Sequence, residues 1–338
     1  MLETIKNLCL IDGVSGRENA VRDYIINEVS AYAESIETDP LGNLIVFKKG
    51  KNTPKNKVML DAHMDEVGMM ITHINADGTL DFECVGGIDK RVMLGKPVTV
   101  GENKINGVIG VKATHMVPAS EKLNMPSTMY IDIGADSAED AREVVSLGDY
   151  ACFNSEFVEF GDGFIKGRAL DDRVGCAILI DMIKSDLPYD MYFNFAAGEE
   201  VGFGIASTAF YRVQPDYAIV VETTTAADLA DVPESKRVCS LGNGGVISFM
   251  DRRTIYPKEL FDKAFELAEK KGIKAQVKAA VAGGNNAGAI HKTAGGVKTI
   301  AVSVPCRYLH SPACVLKKED IEESAKLIRT LAEEFANG

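Results

Sequence analysis

The chain has 338 residues, of which 46% are hydrophobic and 25% are charged, a composition typical of a globular protein and not of a disordered or coiled-coil chain. Acidic residues outnumber basic residues by 49 to 37, which gives a formal net charge of -12. This charge, without any long run of Lys or Arg, argues against nucleic acid and an anionic membrane surface as partners. Because single hydrophobic cores stop growing at about 250 to 300 residues, we expect two domains.

The first residues, MLETIKNLCLIDGVSGRE, lack the basic and apolar segments of a secretion signal. No later stretch approaches the roughly 20 apolar residues that a membrane span requires. We therefore predict a cytoplasmic protein. The seven cysteines form no CxxC pair and mostly have apolar neighbours, so we expect reduced cysteines in the core.

The first third of the chain begins with a predicted helix and continues into strands. Ser15 and Glu18 have the spacing of a capping box, and apolar residues every four positions then predict a helix to about Tyr32. The runs at 41–49 and 57–63 are typical of strands. Two predicted hairpins, around 75–78 and 101–103, and a short helix at 137–145 then indicate a β-rich region.

After residue 161 helices and strands alternate. We predict a helix from about Asp172, strands at 191–197 and 217–222, a helix near 201–211 and a final helix from Lys317. This alternation favours an α/β fold with a mixed, largely parallel sheet flanked by helices. The predicted catalytic domain comprises 1–67 and 161–338, and an inserted β-rich, barrel-like domain comprises 68–160.

Polar side chains follow several of the predicted strands. His63 and Asp65 lie at the end of an apolar strand, with two-residue spacing that places them on one face. Asp171 and Asp172 precede an apolar helix, where one Asp would be sufficient as an N-cap. In open α/β sheets ligands bind beyond the carboxyl ends of the strands, so these side chains are expected to converge.

The strongest cluster follows the strand at 191–197. Glu199 and Glu200 are adjacent there, and two neighbouring carboxylates repel each other unless a cation or a proton compensates. Glu222 ends another apolar strand, and His310 follows the apolar run at 299–305. Two imidazoles and three carboxylates suit a pair of divalent transition metals, one carboxylate bridging. The candidate metal ligands are His63, Asp171, Glu200, Glu222 and His310.

The other histidines are weaker candidates. His73 falls in a predicted hairpin and His291 in a helical segment, where structural roles are more common. His115 follows a strand of the insertion, and both a substrate contact and a structural role remain open for it.

At these residues the chain resembles the glutamyl and deblocking aminopeptidases, dinuclear metallopeptidases that include the tetrahedral (TET) aminopeptidases. The resemblance covers almost the whole chain in order, through DAHMDEVG, LDDRVG, EEVG, GGNNAGAI and RYLHSP.

The resemblance implies a zinc-peptidase-like catalytic domain with a lid and assembly insertion, and dimers that build a dodecamer. It implies two divalent ions, zinc or cobalt with manganese also suitable, and peptide substrates with a free N-terminus. His63 and Glu222 would hold one ion, Glu200 and His310 the other, with Asp171 between them. Glu199 would be the general base and Asp65 the carboxylate that orients His63. A cis peptide between Asp171 and Asp172 is also implied.

Some positions depart from the usual pattern of that family. Glu222 replaces a common Asp, Gly198 a common Gln and Cys314 a frequent acidic residue, while Asn285 and Asn286 replace a common Thr-Asp pair. We expect the changes at Gly198, Asn285 and Asn286 to affect substrate preference. The native metal and the preferred N-terminal residue are not determined by these patterns.

Two alternatives stay open at this stage. Paired carboxylates also cleave glycosidic bonds, so an endoglucanase-like glycoside hydrolase is one. A glycoside hydrolase needs no histidine ligands, and the chain has no Trp on which a sugar ring could stack. The other is a metal-binding relative that has lost peptidase turnover.

Overall fold

The computed structural model describes residues 1–113, 115 and 129–338. Its helices are α1 Leu2–Leu10, α2 Asn19–Val29, α3 Ala138–Val144, α4 Leu170–Lys184, α5 Ala206–Val213, α6 Lys258–Lys271, α7 Ala287–Ile290 and α8 Lys318–Asn337. Its strands are β1 Ser35–Thr38, β2 Leu44–Lys48, β3 Val58–His63, β4 Gly68–Ile74, β5 Leu80–Val85, β6 Pro97–Val100, β7 Ile105–Gly110, β8 Tyr130–Asp132, β9 Tyr150–Phe153, β10 Val158–Phe160, β11 Phe164–Gly167, β12 Met191–Ala196, β13 Tyr217–Thr225, β14 Gly245–Ile247, β15 Ala275–Val277, β16 Lys298–Cys306 and β17 Cys314–Lys317.

The main sheet has the strand order β1-β2-β12-β3-β13-β16-β14-β15. Its four central strands, β12, β3, β13 and β16, are mutually parallel, while antiparallel strands flank them. Val58 and Leu60 of β3 pack into a core with α1, α2, α4, α6 and α8, whereas Met59 packs with α5 and α7 on the other face. This alternation along one strand confirms the predicted α/β fold with helices on both faces of the sheet.

A second unit, formed by strands between Gly68 and Phe153, is a closed barrel with the order β4-β5-β8-β7-β6-β9. It has its own apolar core, which includes Met69, Leu80 and Val98, and α3 packs against it. The barrel confirms the β-rich insertion, and the division into 1–67, 68–160 and 161–338 stays a prediction. A separate three-stranded sheet has the order β10-β11-β17.

Two predicted helices differ from those observed. The predicted capping box is wrong: α2 begins at Asn19 without a side-chain cap, so Ser15 lies four residues before the helix, where its hydroxyl donates to Asp65. The helix predicted at 201–211 is observed at Ala206–Val213. Its expected first turn is a loop in which Gly202 and Gly204 have positive φ, a backbone region that favours glycine.

All seven cysteines are free, and only Cys84 is not fully buried, as expected for core thiols. Within the described residues, no helix combines the length and the apolarity required to cross a bilayer.

Candidate metal centre and active site

The parallel strands bring the predicted residues to one edge of the main sheet. His63 is the last residue of β3 and pairs in register with Ala196, the last residue of β12. Glu199 and Glu200 therefore follow directly beside His63. Glu222 pairs with Ser303 of β16, and the chain beyond β16 leads to His310. Parallel strands end at the same edge, which is why residues distant in sequence meet here.

Asp171 lies between the two histidines. Its Oδ1 is 3.4 Å from Nε2 of His63, and its Oδ2 is 3.3 Å from Nε2 of His310. The peptide bond between Asp171 and Asp172 is cis, as the resemblance implies. One carboxylate therefore directs its two oxygens to two separate groups of side chains.

Each histidine also has a glutamate beside it. Nε2 of His63 is 3.7 Å from Oε2 of Glu222, and Nε2 of His310 is 3.2 Å from Oε2 of Glu200. The distances among ligand atoms allow two overlapping metal-binding groups, each with atoms within 4.8 Å: His63, Asp172 and Glu222, and His63, Asp171 and Glu200.

Asp172 is the addition to the predicted set. Its Oδ2 accepts from the backbone N–H of His63 at 3.3 Å and its Oδ1 from that of Gly175 at 3.1 Å. The sequence pattern offered only the N-cap interpretation for Asp172. Because its carboxylate already accepts from two backbone N–H groups, we infer that Asp172 holds the backbone of His63 in place and is not itself a ligand.

The buried carboxylates and histidines carry an unbalanced charge. Burial lowers the pKa of His63, but the neighbouring carboxylates of Asp171, Asp65 and Glu222 outweigh it and raise that pKa well above its ordinary value. Burial likewise lowers the pKa of His310, and Asp171 and Glu200 raise it to about 10. Oδ1 of Asp171 and Oε1 of Glu222 are buried without a hydrogen-bond partner among the described residues. Two imidazoles with unpaired carboxylate oxygens beside them fit divalent cations.

Asp65 is fully buried and contacts several residues of the centre. Its Oδ1 is 3.3 Å from Nδ1 of His63, and its carboxylate accepts from the backbone N–H groups of Glu199 at 3.0 Å and Glu200 at 3.1 Å. Ser15 donates to the same carboxylate at 2.6 Å. Burial alone would raise the pKa of Asp65, but these donors outweigh it and hold the pKa below its ordinary value. Asp65 therefore positions three site residues at once.

Glu199 forms no ion pair with either histidine and lines the cavity beside the other carboxylates. Burial, reinforced by Asp65 and Asp171, raises the pKa of Glu199 to about 7, although His63 and Arg253 act in the opposite direction. A carboxylate with a pKa near neutrality is suited to general acid–base catalysis. The geometry thus separates Glu199 from Glu200, which contacts His310.

His310 has a φ of 56°, in the left-handed region that non-glycine residues seldom adopt. Its Nδ1–H donates to the carbonyl of Gly87 at 2.9 Å. Gly87 belongs to the segment between β5 and β6 of the barrel, so a barrel residue sets the ring orientation of His310 and leaves Nε2 directed at Asp171. No sequence pattern indicated this contact.

The residues that depart from the usual pattern of the family lie at different places around the centre. Gly198 has a φ of 62°, so its backbone conformation favours glycine. Asn286 donates to Asp61 at 2.9 Å, below the centre, whereas Asn285 lines the cavity. Cys314 is buried next to Asp171 and Glu200.

The remaining histidines lie outside this cluster. His73 is an exposed residue of β4 and His115 is exposed. Nδ1 of His291, the residue after α7, lies 2.6 Å from the carbonyl of Ala287 in that helix. The cavity over the centre has a volume of about 140 Å³ and includes Lys278 on its wall. A larger cavity of about 950 Å³ beside α5 contains none of the predicted site residues.

Comparisons with known proteins identify the family to which the chain is similar. The family model for M42 glutamyl aminopeptidases matches residues 42–327. A curated protein of Acetivibrio thermocellus, named provisionally as an aminopeptidase, is 39% identical over 97% of both chains. The aminopeptidase APDkam598 of Desulfurococcus kamchatkensis is 32% identical, with a TM-score of 0.93 over 98% of this chain and 94% of its own.

A third similar protein is the TET1 peptidase of Pyrococcus horikoshii, which assembles into a tetrahedron or a large octahedral shell. It is 36% identical, with a TM-score of 0.86 over 98% of this chain and 99% of its own. The predicted glycoside hydrolase alternative has no better support than the peptidase. The chain is a metal-dependent peptidase that belongs to the M42 glutamyl aminopeptidase family.

Proposed function

We propose that the chain is an aminopeptidase with a co-catalytic pair of divalent ions, His63 and Glu222 holding one and His310 and Glu200 the other. Asp171 would bridge them. The observation that carries this proposal is the position of the Asp171 carboxylate, whose two oxygens face the two histidines separately at 3.4 and 3.3 Å. A carboxylate that bridges two cations needs this arrangement.

Bound there, such ions act as Lewis acids on the scissile carbonyl and lower the pKa of water. The protein's own part is proton transfer and orientation. Glu199 accepts the proton of the attacking water and delivers it to the leaving amine. Asp65 fixes the Glu199 backbone and the His63 ring, so it is a positioning residue.

Substitution of Glu199 tests this assignment. Glu199→Gln should retain its metal content, measured by mass spectrometry, and lose turnover by at least about 100-fold, because a positioned general base contributes roughly that much. Glu200→Gln should lose both turnover and bound metal. The exposed Glu269→Gln should change neither turnover nor metal content. Turnover near the wild-type value in Glu199→Gln would refute the base assignment.

The free α-amino group of a peptide suits this site because the carboxylates around the centre create a negative potential. Peptides with a free N-terminus are therefore the proposed substrates. Zinc and cobalt are the proposed ions, and manganese also suits His and carboxylate ligands.

A metal add-back experiment covers the remaining alternatives. Chelator-stripped protein is assayed on aminoacyl anilides, and on soluble cellulose in parallel, before and after zinc, cobalt or manganese is added. Metal-restored anilide cleavage supports the proposal. Tight metal binding without cleavage of any anilide identifies a relative that has lost turnover, and metal-independent sugar release identifies a glycoside hydrolase.

We also propose that residues 68–160 form a lid and assembly domain on a catalytic domain of 1–67 and 161–338, and that dimers build a cytoplasmic dodecamer. The closed barrel and the assembly of the Pyrococcus horikoshii TET1 peptidase support this. Light scattering of the purified chain should give twelve times the chain mass. A monomer or a lone dimer would contradict the assembly.

A further inference from the structure

The large cavity beside α5, an open groove of about 950 Å³, lies next to the cavity over the metal centre. Gly202 lines the groove, and its N–H donates to the carbonyl of Glu199 at 2.7 Å. Gly284 lines the cavity over the centre, whereas Gly288, four residues later, lines the groove. The two spaces therefore meet at the loop after Glu199 and at the segment that leads into α7.

Arg253 lies at this boundary. A Cβ atom on Gly202 would be 2.8 Å from Nη2 of Arg253, and Cβ atoms on Gly284 and Gly288 would be 2.9 and 2.6 Å from carbon atoms of the same side chain. The side chain of Arg253 thus passes over the glycines that lead into α7, and its guanidinium reaches the loop after Glu199. A larger residue at any of the three glycine positions would collide with it.

The charge of Arg253 has no partner within the described residues. Its guanidinium forms no ion pair within 4.0 Å and donates no hydrogen bond there, and the same is true of the ammonium group of Lys292 on the groove wall. Arg212 pairs with Glu37, and the buried carboxylate of Asp39 already accepts from two backbone N–H groups and a hydroxyl. The described part of the groove therefore presents two cations that no carboxylate neutralises.

The groove also exposes apolar surface. Leu41, Phe203 and Tyr211 all lie on its wall, and they are 52, 76 and 63% exposed. Phe203 belongs to the loop that follows Glu199 and Glu200. Large apolar groups that are exposed together in one groove are typical of a binding surface.

The proposed mechanism sets the direction in which a bound peptide extends. Glu199 delivers a proton to the leaving amine, so the residue that carries this amine must lie beside Glu199. The cavity over the centre, about 140 Å³, is smaller than the roughly 300 to 1,000 Å³ of typical ligand sites. It therefore takes only the N-terminal end of a peptide, and the adjacent groove provides the space for the remainder.

We propose that the groove binds the leaving part of the peptide and that Arg253 pairs with its C-terminal carboxylate. This inference rests on the proposed aminopeptidase function. An extended chain advances about 3.3 to 3.6 Å per residue, and Arg253 reaches the loop that begins at Glu199. The preferred substrates are therefore short peptides, of about two to four residues, with a free C-terminus.

C-terminal amidation isolates this charge, because it removes the carboxylate and adds almost no volume. The peptides are X-Gly, X-Gly-Gly and X-Gly-Gly-Gly with their amides, where X is the residue of the best-cleaved anilide, or Leu if none is cleaved. The measured quantity is the ratio of kcat/KM for the free peptide to that for its amide. Because Arg253 also lowers the pKa of Glu199, the ratio is taken within each variant, where this effect cancels.

Wild-type protein should have a ratio about 3- to 10-fold above that of Arg253→Gln for at least one length, the modest size expected for an exposed ion pair. Arg253→Lys should keep a raised ratio. Added salt, at about 0.5 M, should lower the ratio in the wild type and not in Arg253→Gln. The matched control is Arg252→Gln, since Arg252 is exposed, carries the same charge and should leave the ratio unchanged.

Binding provides a readout that does not require turnover. Calorimetry with metal-loaded Glu199→Gln should show tighter binding of the free peptide than of its amide. The additional substitution Arg253→Gln should abolish this difference.

An equal ratio in wild type and Arg253→Gln at every length would overturn the inference and leave the proposed function intact. If Arg253→Gln also fails to assemble in light scattering, a second copy of the chain occupies the groove. If no peptide is cleaved with any metal, the proposed function fails, and equal binding of free and amidated peptides to Glu199→Gln then overturns the inference separately.

Discussion

Substitution of Asp65 by Asn gives the most informative test of how the site is held together. The carboxylate of Asp65 accepts hydrogen bonds from three groups and lies close to a fourth, the His63 ring. Its Oδ1 faces Nδ1 of His63 at 3.3 Å and the N–H of Glu199 at 3.0 Å, and its Oδ2 faces the Ser15 hydroxyl at 2.6 Å and the N–H of Glu200 at 3.1 Å. Asn has the same shape but only one acceptor oxygen.

The effects of that substitution can be worked out atom by atom. If the amide oxygen takes the Oδ1 position, His63 and Glu199 keep their acceptor. The Ser15 hydroxyl can rotate and accept from the new NH₂ group, but the Glu200 N–H then faces another donor. One buried, unsatisfied N–H costs about 1 to 3 kcal/mol in the free energy of unfolding. In metal-free protein, the loss of one negative charge from the cluster offsets part of this cost.

Metal affinity should fall as well, since removal of a carboxylate that orients a ligating histidine costs about 10- to 100-fold. We expect the lower end of this range, because Nδ1 of His63 also lies 3.1 Å from the backbone carbonyl of Asp65, and that acceptor survives the substitution. Asp65→Asn should therefore destabilise the metal-loaded protein by about 1.4 kcal/mol more than the metal-free protein, the equivalent of tenfold affinity.

The assays are a chelator-competition titration for affinity and denaturant unfolding of the metal-loaded and metal-free forms. Ser15→Ala is the control, since it removes one donor and leaves the carboxylate. It should cost about 1 kcal/mol of stability and leave affinity almost unchanged. Wild-type affinity in Asp65→Asn, or an equal loss in Ser15→Ala, would refute the assigned role of the Asp65 charge.

Two further predictions concern Glu199 and the residue before it. Glu199 must be deprotonated to act as a base, and its pKa is raised to about 7 without cations, so kcat/KM should rise with pH along an acidic limb. Bound ions lower the pKa of Glu199, so this limb should lie at or below about pH 7. A pH profile in which Glu199→Gln retains this limb would contradict it. Gly198→Ala should lower the free energy of unfolding by about 1 to 2 kcal/mol, because its φ is 62° and a Cβ would lie 2.8 Å from Cδ1 of Ile205; unchanged thermal unfolding would contradict this.

The sequence predicted the fold class and the convergence of the site because both depend on repeating patterns. Apolar strands separated by helices predict a parallel sheet, and polar residues at the strand ends predict a site at its edge. His63, Glu200 and Glu222 follow from this logic, and the structure brings them together.

Contacts between distant segments explain what the sequence did not predict. Ser15 and Glu18 have the spacing of a capping box, but α2 begins only at Asn19 and the Ser15 hydroxyl contacts Asp65, a residue 50 positions away in the sequence. Lys278 lies in a segment with no local signal, and its place on the cavity wall depends on pairing with Ile247 across β14. The orientation of His310 depends on Gly87 of the barrel.

The electrostatics of the centre link metal binding to protons. Burial raises the pKa of Glu200 and of Glu222 well above the ordinary value, and repulsion by neighbouring carboxylates adds to this effect. The same carboxylates raise the pKa of both histidines against the effect of burial. Without cations, protons therefore compensate the charge that the fold gathers at this edge. Ions and protons compete for the same groups, because a ligating imidazole must be neutral and a ligating carboxylate ionised. Since His63 and Asp65 are almost fully buried, water screens this charge only weakly, and we expect ion binding to tighten as pH rises.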